Sequence, residues 1–313
     1  MKLKEWSAFT LLGLVWGSSF LWIKIAVQEI GPFTVVALRL LFGVIGLLVV
    51  MRLQKQPLSR DPKILLAFLF MGVFQTALPF TLISWGETRI DSSLASILNG
   101  TMPLFTIVIA HFWLHDEKIT LPRIAGLIVG FLGVVVLVSR DFGPEGLHGN
   151  LWGQMAVLAA SISYATAGVF SRKYLRGQSP LVQATMVVLI ADLLMWVSAP
   201  LVERPLHIPT LPITWFALAW LGLLGACLAY LLYFYLINAW GATRASVVTY
   251  VFPVIGLILG IIFLREIADW RLIAGSLLVM ASIVIVNLKP RLKSTPAATA
   301  TNRAEWERSS QQG

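Results

Sequence analysis

Two polar stretches of the sequence, about 150 residues apart, carry side chains that could bind a small ligand. Ser96, Asn99 and Pro103 follow i, i+3, i+7 spacing and therefore share one face of a predicted helix. The same spacing recurs at Ser246, Thr249 and Pro253. Because a proline inside a helix removes a backbone donor, we expect Pro103 and Pro253 to kink these helices. Asn99 and Thr249 would then offer hydrogen bonds to the ligand, and helix packing by small polar side chains is the alternative.

Aromatic side chains at related positions could form the walls of the same site. Trp16 and Tyr164 lie at an offset of about 150 residues, each in the middle of a predicted helix. Their rings could face each other across a cavity and contact an apolar or aromatic ligand. Packing between helices is the alternative interpretation for both. Further candidates for lining this path are Gln75, Tyr230 and Tyr250.

No pattern in the sequence indicates a catalytic centre or a cofactor site. His111 and His115 have the H-x3-H spacing of membrane di-iron enzymes, but such centres need many histidines and this chain has 4. The other two, His148 and His207, fall in loops predicted on the opposite face. A single cysteine, Cys227, gives neither a disulfide framework nor a thiolate metal cluster. Since hydrolase and P-loop motifs are missing too, we expect no enzyme activity, no metal and no cofactor.

The elements that position these residues are apolar segments, which fill almost the whole chain. Hydrophobic residues make up 58% of the 313 residues and charged residues only 12%, a composition that soluble domains of this size do not reach. A bilayer core about 30 Å thick needs roughly 20 apolar residues per helix. We predict an all-α integral membrane protein with ten transmembrane helices near residues 7–26, 33–51, 64–85, 92–113, 121–138, 150–170, 181–202, 213–237, 245–263 and 269–288.

The distribution of positive charge predicts how the chain is inserted. With a cytoplasmic N-terminus, most of the basic residues fall in cytoplasmic connections and tails: Lys2, Lys4, Arg52, Lys55, Arg60, Lys63, Lys118, Arg123, Arg172, Lys173, Arg176, Arg244, Lys289, Arg291 and Lys293. The opposite side holds Arg89, Arg140, Arg204, Arg265 and Arg271. This asymmetry places both termini in the cytoplasm. It also accounts for the net charge of +9 without a nucleic-acid partner.

The second half of the chain repeats the first. Offsets of 148 and 150 align Trp16 with Tyr164, Lys24 with Arg172, Pro32 with Pro180, Gly72 with Gly222, Ala95 with Ala245 and Pro103 with Pro253. We predict that residues 1–140 and 150–289 are two five-helix repeats, followed by a disordered cytoplasmic tail over 290–313. Because five is odd, the second repeat enters the membrane from the opposite side. Inverted repeats of this kind are typical of secondary transporters.

Two charged side chains inside the apolar segments are further functional candidates. Asp192 lies near the middle of the predicted seventh helix, where a carboxylate costs about 2.5–3.5 kcal/mol to insert. A neutral, protonated carboxyl that is hydrogen-bonded to a neighbour is one interpretation, and a proton-sensing or substrate-amine-binding role is the functional hypothesis. Arg39 is predicted to close an outer gate or to contact a substrate carboxylate. Lys24 is expected to reach the membrane surface through its long side chain.

Short motifs spread over residues 7–288 resemble those of the EamA-type branch of the drug/metabolite transporter superfamily. The resemblance begins with W-G-S-S-F at 16–20 and continues through Lys24, Pro32, Arg39, A-S at 95–96, M-P-L-F at 102–105, D-E at 116–117, G-A-T-R-A-S at 241–246, Pro253 and Glu266. The sequence departs from the family at H-D-E over 115–117, where relatives usually have Gly-Glu after the fourth helix.

The resemblance implies a ten-helix exporter of small metabolites, often amino acids or their relatives, in a bacterial cytoplasmic (inner) membrane. The expected partners are a small-molecule substrate and the lipid bilayer, proton coupling is compatible with the residues, and no oligomeric state follows from them. Transport would proceed by alternating access. A lipid flippase or a multidrug transporter is the alternative, and a membrane-embedded enzyme would need a catalytic cluster that the sequence lacks.

Overall fold

The structure is a computed structural model that describes residues 3–58, 61–114, 119–139, 142–143, 146–147, 150–240 and 246–286. His115, the acidic pair at 116–117 and the predicted tail lie outside these residues. Apart from a two-residue antiparallel ladder that pairs Phe142–Gly143 with Gly146–Leu147, the regular structure is helical. The chain is therefore an all-helical protein, as its sequence predicts.

Within the described residues the apolar helices follow one another with short connections. Eight are long and apolar enough to cross a membrane: α1 (Leu3–Ala26), α2 (Pro32–Leu53), α3 (Pro62–Glu87), α4 (Ser92–Trp113), α5 (Leu121–Val138), α6 (Asn150–Tyr174), α7 (Pro180–Val202) and α8 (Pro212–Tyr233). Two shorter apolar helices complete the set: α9 (Val248–Leu264) and α10 (Trp270–Val286). The α-helix at the end of α8 continues to Trp240. The structure thus has eight candidate membrane spans where the sequence predicts ten, because α9 and α10 are short over the part described.

Proline begins many of these helices. Pro32, Pro62, Pro180 and Pro212 each occupy the first turn of a helix, where the missing N–H would have no partner in any case. The Asp61 carboxylate accepts a hydrogen bond from the Lys63 N–H and so caps α3 locally. The sequence therefore sets these helix starts through residues close to them in the chain.

The predicted kinks take a different form in the structure. In α4 the helix is interrupted at Gly100 and Thr101, and Pro103 lies in the first turn of the segment Met102–Trp113. In α9 a 3-10 turn, Ser246–Tyr250, precedes the segment Val251–Leu264 that contains Pro253. Pro103 thus lies in the first turn of its helical segment, where a missing N–H has no partner in any case, and Pro253 is the third residue of its segment, just after the 3-10 turn.

The third and eighth helices share a second irregularity. Gly72–Ala77 in α3 and Trp220–Leu228 in α8 are π-helical. Wider turns of this kind leave backbone carbonyls available to other helices. The Ser163 hydroxyl of α6 donates to the Phe74 carbonyl at 2.7 Å, and the Trp16 indole of α1 donates to the Gly225 carbonyl at 3.0 Å. Each π-helical segment is therefore bound by a neighbouring helix.

Contacts between helices follow the offset of about 150 residues. Helix α1 packs on α8 and α9, and α6 packs on α3 and α4. Helix α2 contacts α8, and α7 contacts α3. The other extensive contacts pair α2 with α7, α4 with α9 and α5 with α10. Exchanging each helix for its counterpart in the other half leaves this set of contacts unchanged.

We use two names for the ends of the bundle. Face A contains the connections 27–31, 88–91, 203–211 and 265–269, and face B contains residues 54–58 and Asp61, between α2 and α3, and the connection 175–179. The charge distribution in the sequence predicts that face A is extracytoplasmic and face B cytoplasmic.

Glycine allows the closest approach between α2 and α8. A Cβ atom added at Gly222 would lie 2.4 Å from the Arg39 carbonyl oxygen and 2.4 Å from the Phe42 Cβ, both in α2. These are backbone and near-backbone atoms, so the neighbouring helix would have to shift. A side chain at Gly222 therefore conflicts with the packing that positions Arg39.

We expect Gly222→Ala to lower the stability of the purified protein by about 1–3 kcal/mol through overpacking. Thermal unfolding in detergent measures the effect. Gly168→Ala is the matched control, because a Cβ at Gly168 would meet nothing within 4 Å and alanine favours a helix. Equal melting temperatures for the two variants would contradict the close α2–α8 contact.

Candidate functional site

A central cavity of about 820 Å³, a volume that includes its open part, lies between α1, α2, α3, α4, α6, α8 and α9. Among the residues that the sequence singles out, those that line it are Trp16, Arg39, Gln75, Asn99, Tyr164, Tyr230 and Thr249. They come from both halves of the chain and from seven helices. The fold therefore brings together residues that are more than 200 positions apart in the sequence.

The remaining candidates lie elsewhere. Ser96 is fully buried and donates to the Ser93 carbonyl, and a Cβ at Gly256 of α9 would lie 2.2 Å from its hydroxyl oxygen. It therefore occupies the contact between α4 and α9. Pro253 packs against Gly100 at the interruption of α4. Pro103, Tyr250 and Asp192 do not belong to the cavity lining.

One wall of the cavity is aromatic and is held by Trp16. The Trp16 ring lies 6.1 Å from Tyr230, 5.2 Å from Tyr233 and 5.9 Å from Phe252, measured between ring centroids. Its indole N–H donates to the Gly225 carbonyl, so the ring orientation is set by a hydrogen bond as well as by packing. Edge-on aromatic contacts of this type are favourable and leave ring faces available to a ligand.

Arg39 is the charged group of the cavity lining. It is 3% exposed, its guanidinium carbon lies 4.0 Å from the centre of the Phe80 ring, and its Nε has no hydrogen-bond partner among the described residues. The Tyr164 and Tyr230 hydroxyls and the Glu87 carboxyl are within its electrostatic reach. A buried guanidinium with a free donor is suited to bind a carboxylate.

Amide and hydroxyl groups supply neutral polar contacts around the cavity. The Ser161 hydroxyl of α6 lies 3.3 Å from the Asn99 side-chain oxygen, which leaves the Asn99 amide N–H groups to face other partners. The Tyr230 hydroxyl lies 3.4 Å from the Thr76 hydroxyl in the π-helical segment of α3. The site thus combines one cation, several hydroxyls and amides, and large apolar surfaces.

Carboxylates from one half of the chain cap helices of the other half at face A. Glu266 accepts hydrogen bonds from the Ser92 and Ser93 N–H groups, at 2.7 and 2.9 Å, at the start of α4. Glu203 accepts from the Phe33 and Thr34 N–H groups, at 2.8 and 3.0 Å, at the start of α2. These N–H groups have no partner within their own helices, and a carboxylate also favours the positive end of the helix dipole.

A third carboxylate makes the same type of contact in the opposite direction. Glu29, in the first half, accepts from the N–H groups of Thr210 and Leu211 before α8. Lys24 is also bound at this face, since its ammonium donates to the Glu87 and Ile90 carbonyls at 2.7 Å each. The Lys24 side chain therefore ends at the last turn of α3, where a cation is favoured by the helix dipole.

Asp192 is buried in α7, at 5% exposure, and one of its carboxylate oxygens has no hydrogen-bond partner among the described residues. It is separate from the cavity lining. Within the described part of the chain, no group of histidine, cysteine and acidic residues could hold a metal ion.

Sequence reasoning missed part of the site. The cavity is also lined by Ser19, Phe20, Ile23, Phe80, Ile83, Met102, Tyr233 and Phe252. Most are apolar, and an apolar residue in a membrane helix gives no sign of whether it faces lipid, protein or a cavity. One usable signal existed: Ser19, Phe20 and Ile23 follow Trp16 at i+3, i+4 and i+7 and so share its helix face. No comparable pattern in the sequence indicates that the carboxylates of Glu29 and Glu203 accept hydrogen bonds from backbone N–H groups of the other half.

Comparison with known proteins shows what the chain is similar to. It is 27% identical over 285 residues to an uncharacterized transporter of Archaeoglobus fulgidus, an alignment that covers 91% of this chain and 99% of the relative. It is 27% identical over 274 residues to the uncharacterized transporter YoaV of Bacillus subtilis, covering 86% and 92%. A probable amino-acid metabolite efflux pump of Salmonella typhimurium is 27% identical over 294 residues, covering 91% and 95%.

A solved crystal structure has the same overall fold, with a TM-score of 0.66 over 92% of this chain and 97% of that chain, at 17% sequence identity. The model of the EamA-like transporter family matches residues 5–139 and again residues 151–288. Together with the apolar helices, this makes the protein a multi-pass membrane transporter. The chain belongs to the EamA-like transporter family.

Proposed function

We propose that this protein is a secondary transporter that exports small organic metabolites, amino acids among them, by alternating access. The observation that carries the proposal is the central cavity, which places Arg39 beside an aromatic wall and is built from both halves of the chain. The proposed location is a bacterial inner membrane with both termini in the cytoplasm. Binding of a small molecule, rather than catalysis, is what this set of side chains supports.

Two inverted five-helix repeats, near 1–140 and 150–289, would allow the protein to alternate between a state open at one side of the membrane and a state open at the other. The extensive helix contacts are preserved when the halves are exchanged. The π-helical segments of α3 and α8, and the irregular turns before Met102 in α4 and before Val251 in α9, also recur at an offset of about 150 residues. The family model also matches twice. Two equivalent packings of such halves give one state open at each side of the membrane.

The state described by the structure would be closed at face A. Glu203, Glu266 and Glu29 join the two halves there through hydrogen bonds to helix N-termini. Toward face B, the cavity lining reaches Thr249 and Phe252 in the first turns of α9. With face A extracytoplasmic, and if the cavity opens at face B, the substrate would enter this state from the cytoplasm.

The chemistry of the lining favours a substrate that carries a carboxylate and an apolar or aromatic part. Arg39 supplies the group for the carboxylate, and Trp16, Tyr233 and Phe252 supply the apolar surface. An amino acid has both features, and one relative is named a probable amino-acid metabolite efflux pump. Thermal-shift screening of the purified protein against metabolites tests this class, because a bound substrate stabilises the folded state. Stabilisation by lipids alone would favour a flippase instead.

We expect Arg39→Met to weaken binding of a carboxylate substrate by roughly 10- to 150-fold, the equivalent of about 1.5–3 kcal/mol for a charge-assisted hydrogen bond. Calorimetric titration with the strongest ligand from the screen measures it. The control is the same ligand with its carboxylate converted to an amide, whose affinity should change little between the parent and Arg39→Met. Equal losses for acid and amide would show that Arg39 acts on the fold and not on the carboxylate.

We expect the double change Glu203→Gln and Glu266→Gln to open face A, since each removes a charged acceptor from two backbone donors. Spin labels at Thr88→Cys and His207→Cys, in a Cys227→Ala background, report the distance between the halves at this face. Both label positions are exposed. In the double variant, double electron–electron resonance should show a larger fraction of long distances between the two labels than in the parent.

Asp61→Asn is the matched control for this experiment. Asp61 is also a carboxylate that caps a helix, but it lies at face B and caps its own helix α3. It should leave the label distance at face A unchanged. The same distance distribution in the double variant and the parent would argue against carboxylate closure of face A.

A further inference from the structure

Glu87 is a fully buried carboxyl group that the proposed transport cycle does not yet use. It is the last residue of α3, with 0% of its surface exposed. Neither carboxylate oxygen has a hydrogen-bond partner among the described residues. It lies one turn beyond Ile83, which lines the cavity, and so it occupies the layer between the cavity and face A.

The charged groups around Glu87 leave its carboxyl without a hydrogen bond. Those within its electrostatic reach are Lys24 of α1, Arg39 of α2 and Glu266 of the α9–α10 connection. The Lys24 ammonium donates to two backbone carbonyls, and the Arg39 guanidinium stacks on Phe80. The carboxylate of Glu266 caps α4. Two cations and one anion therefore act on Glu87 through space, and none of the described residues makes a hydrogen bond to its carboxyl.

The uncharged neighbours exclude water from the same place. Helix α6 packs against this end of α3 so closely that a Cβ at Gly86 would lie 2.9 Å from the Gly153 carbonyl oxygen and 2.8 Å from a methyl group of Val157. An ionised carboxylate buried without hydrogen bonds is costly, and the neutral acid avoids most of that cost. Closure of face A therefore favours the acid form of Glu87.

We propose that Glu87 is a proton-binding site whose protonation is linked to closure of face A. A proton from solvent binds a carboxylate oxygen when face A is open and water reaches the group, and the neutral acid is then buried as the halves close. Opening reverses the step and releases the proton to water. The inference rests on the two states of the proposed transport cycle, but it concerns face A and not the substrate. Acid then stabilises the state that the structure describes.

Distance measurements at face A test the link between protonation and closure. The labels at Thr88→Cys and His207→Cys are measured in the full-length protein without substrate, over a pH series. The parent should shift from short distances in acid to long distances in alkali. Glu87→Gln, a permanent mimic of the neutral acid, should lose this shift and keep short distances throughout. The matched control, Asp192→Asn, removes the other carboxyl that is buried among the described residues and should retain the shift of the parent.

A parent without any pH-dependent shift, or a Glu87→Gln variant that shifts as the parent does, would overturn the proposal. If Glu87→Gln yields too little folded protein, Glu87→Met replaces it, and the label distances in that variant should also stay short at every pH.

Infrared spectroscopy tests the proton itself and needs no label. The acid-minus-alkaline difference spectrum of the parent should contain the C=O stretch of a buried protonated carboxyl, and this band should be lost in Glu87→Gln and kept in Asp192→Asn. A band that is kept in Glu87→Gln would assign the proton elsewhere. Both measurements are made without substrate, so an absence of amino-acid binding in the thermal-shift screen would count against the proposed function and leave this result standing.

Discussion

The structure depends on one constraint, which is that backbone N–H and C=O groups buried away from water must find partners within the protein. Regular helices satisfy most of these groups, but helix ends, π-helical segments and interruptions do not. In this protein several of the unsatisfied groups are bound by side chains that are distant in the sequence. Trp16 and Ser163 donate to carbonyls of the π-helical segments, and carboxylates accept from the N-termini of α2 and α4 at face A.

This constraint connects the fold to transport. Because the acceptors at face A belong to the opposite half of the chain, the same hydrogen bonds satisfy the helix ends and join the two halves at this face. Opening the face would transfer these N–H groups to water, which can also satisfy them. An exchange between two satisfied arrangements has a modest cost, as alternating access requires. In the proposed cycle, the burial of Glu87 depends on the same closure.

Much of the fold follows from local patterns in the sequence. The apolar segments predict nearly all helix positions within a few residues, and the proline starts of α2, α3, α7 and α8 lie where the sequence places them. Local patterns did not predict the form that the helices take at Pro103 and Pro253. Whether a helix bends through a proline or restarts at it depends on what satisfies the free carbonyls, and those partners belong to other helices.

The candidate site divides in the same way. Polar and large aromatic residues in mid-helix were a usable signal for the site, since a polar side chain in an apolar segment is costly unless it has a partner. Of the residues chosen in this way, the following line the cavity: Trp16, Arg39, Asn99, Tyr164 and Thr249. Ser96 and Asp192 carry the same signal and lie elsewhere. A polar side chain in a membrane helix is satisfied equally by a cavity or by a neighbouring helix, so the signal alone does not separate the two.

By itself the sequence determined that the chain is a helical membrane protein, that marker residues recur at an offset of about 150 and that it resembles EamA-type transporters, because composition, spacing and motif order are properties of the linear chain. Only the tertiary structure decided which polar groups face the cavity, that Glu203 and Glu266 join the halves, and that Glu87 is left without a hydrogen bond. Contacts between residues about 170 positions apart depend on how helices rotate and pack, and hydropathy is nearly uniform around a helix that faces lipid on one side and apolar protein on the other.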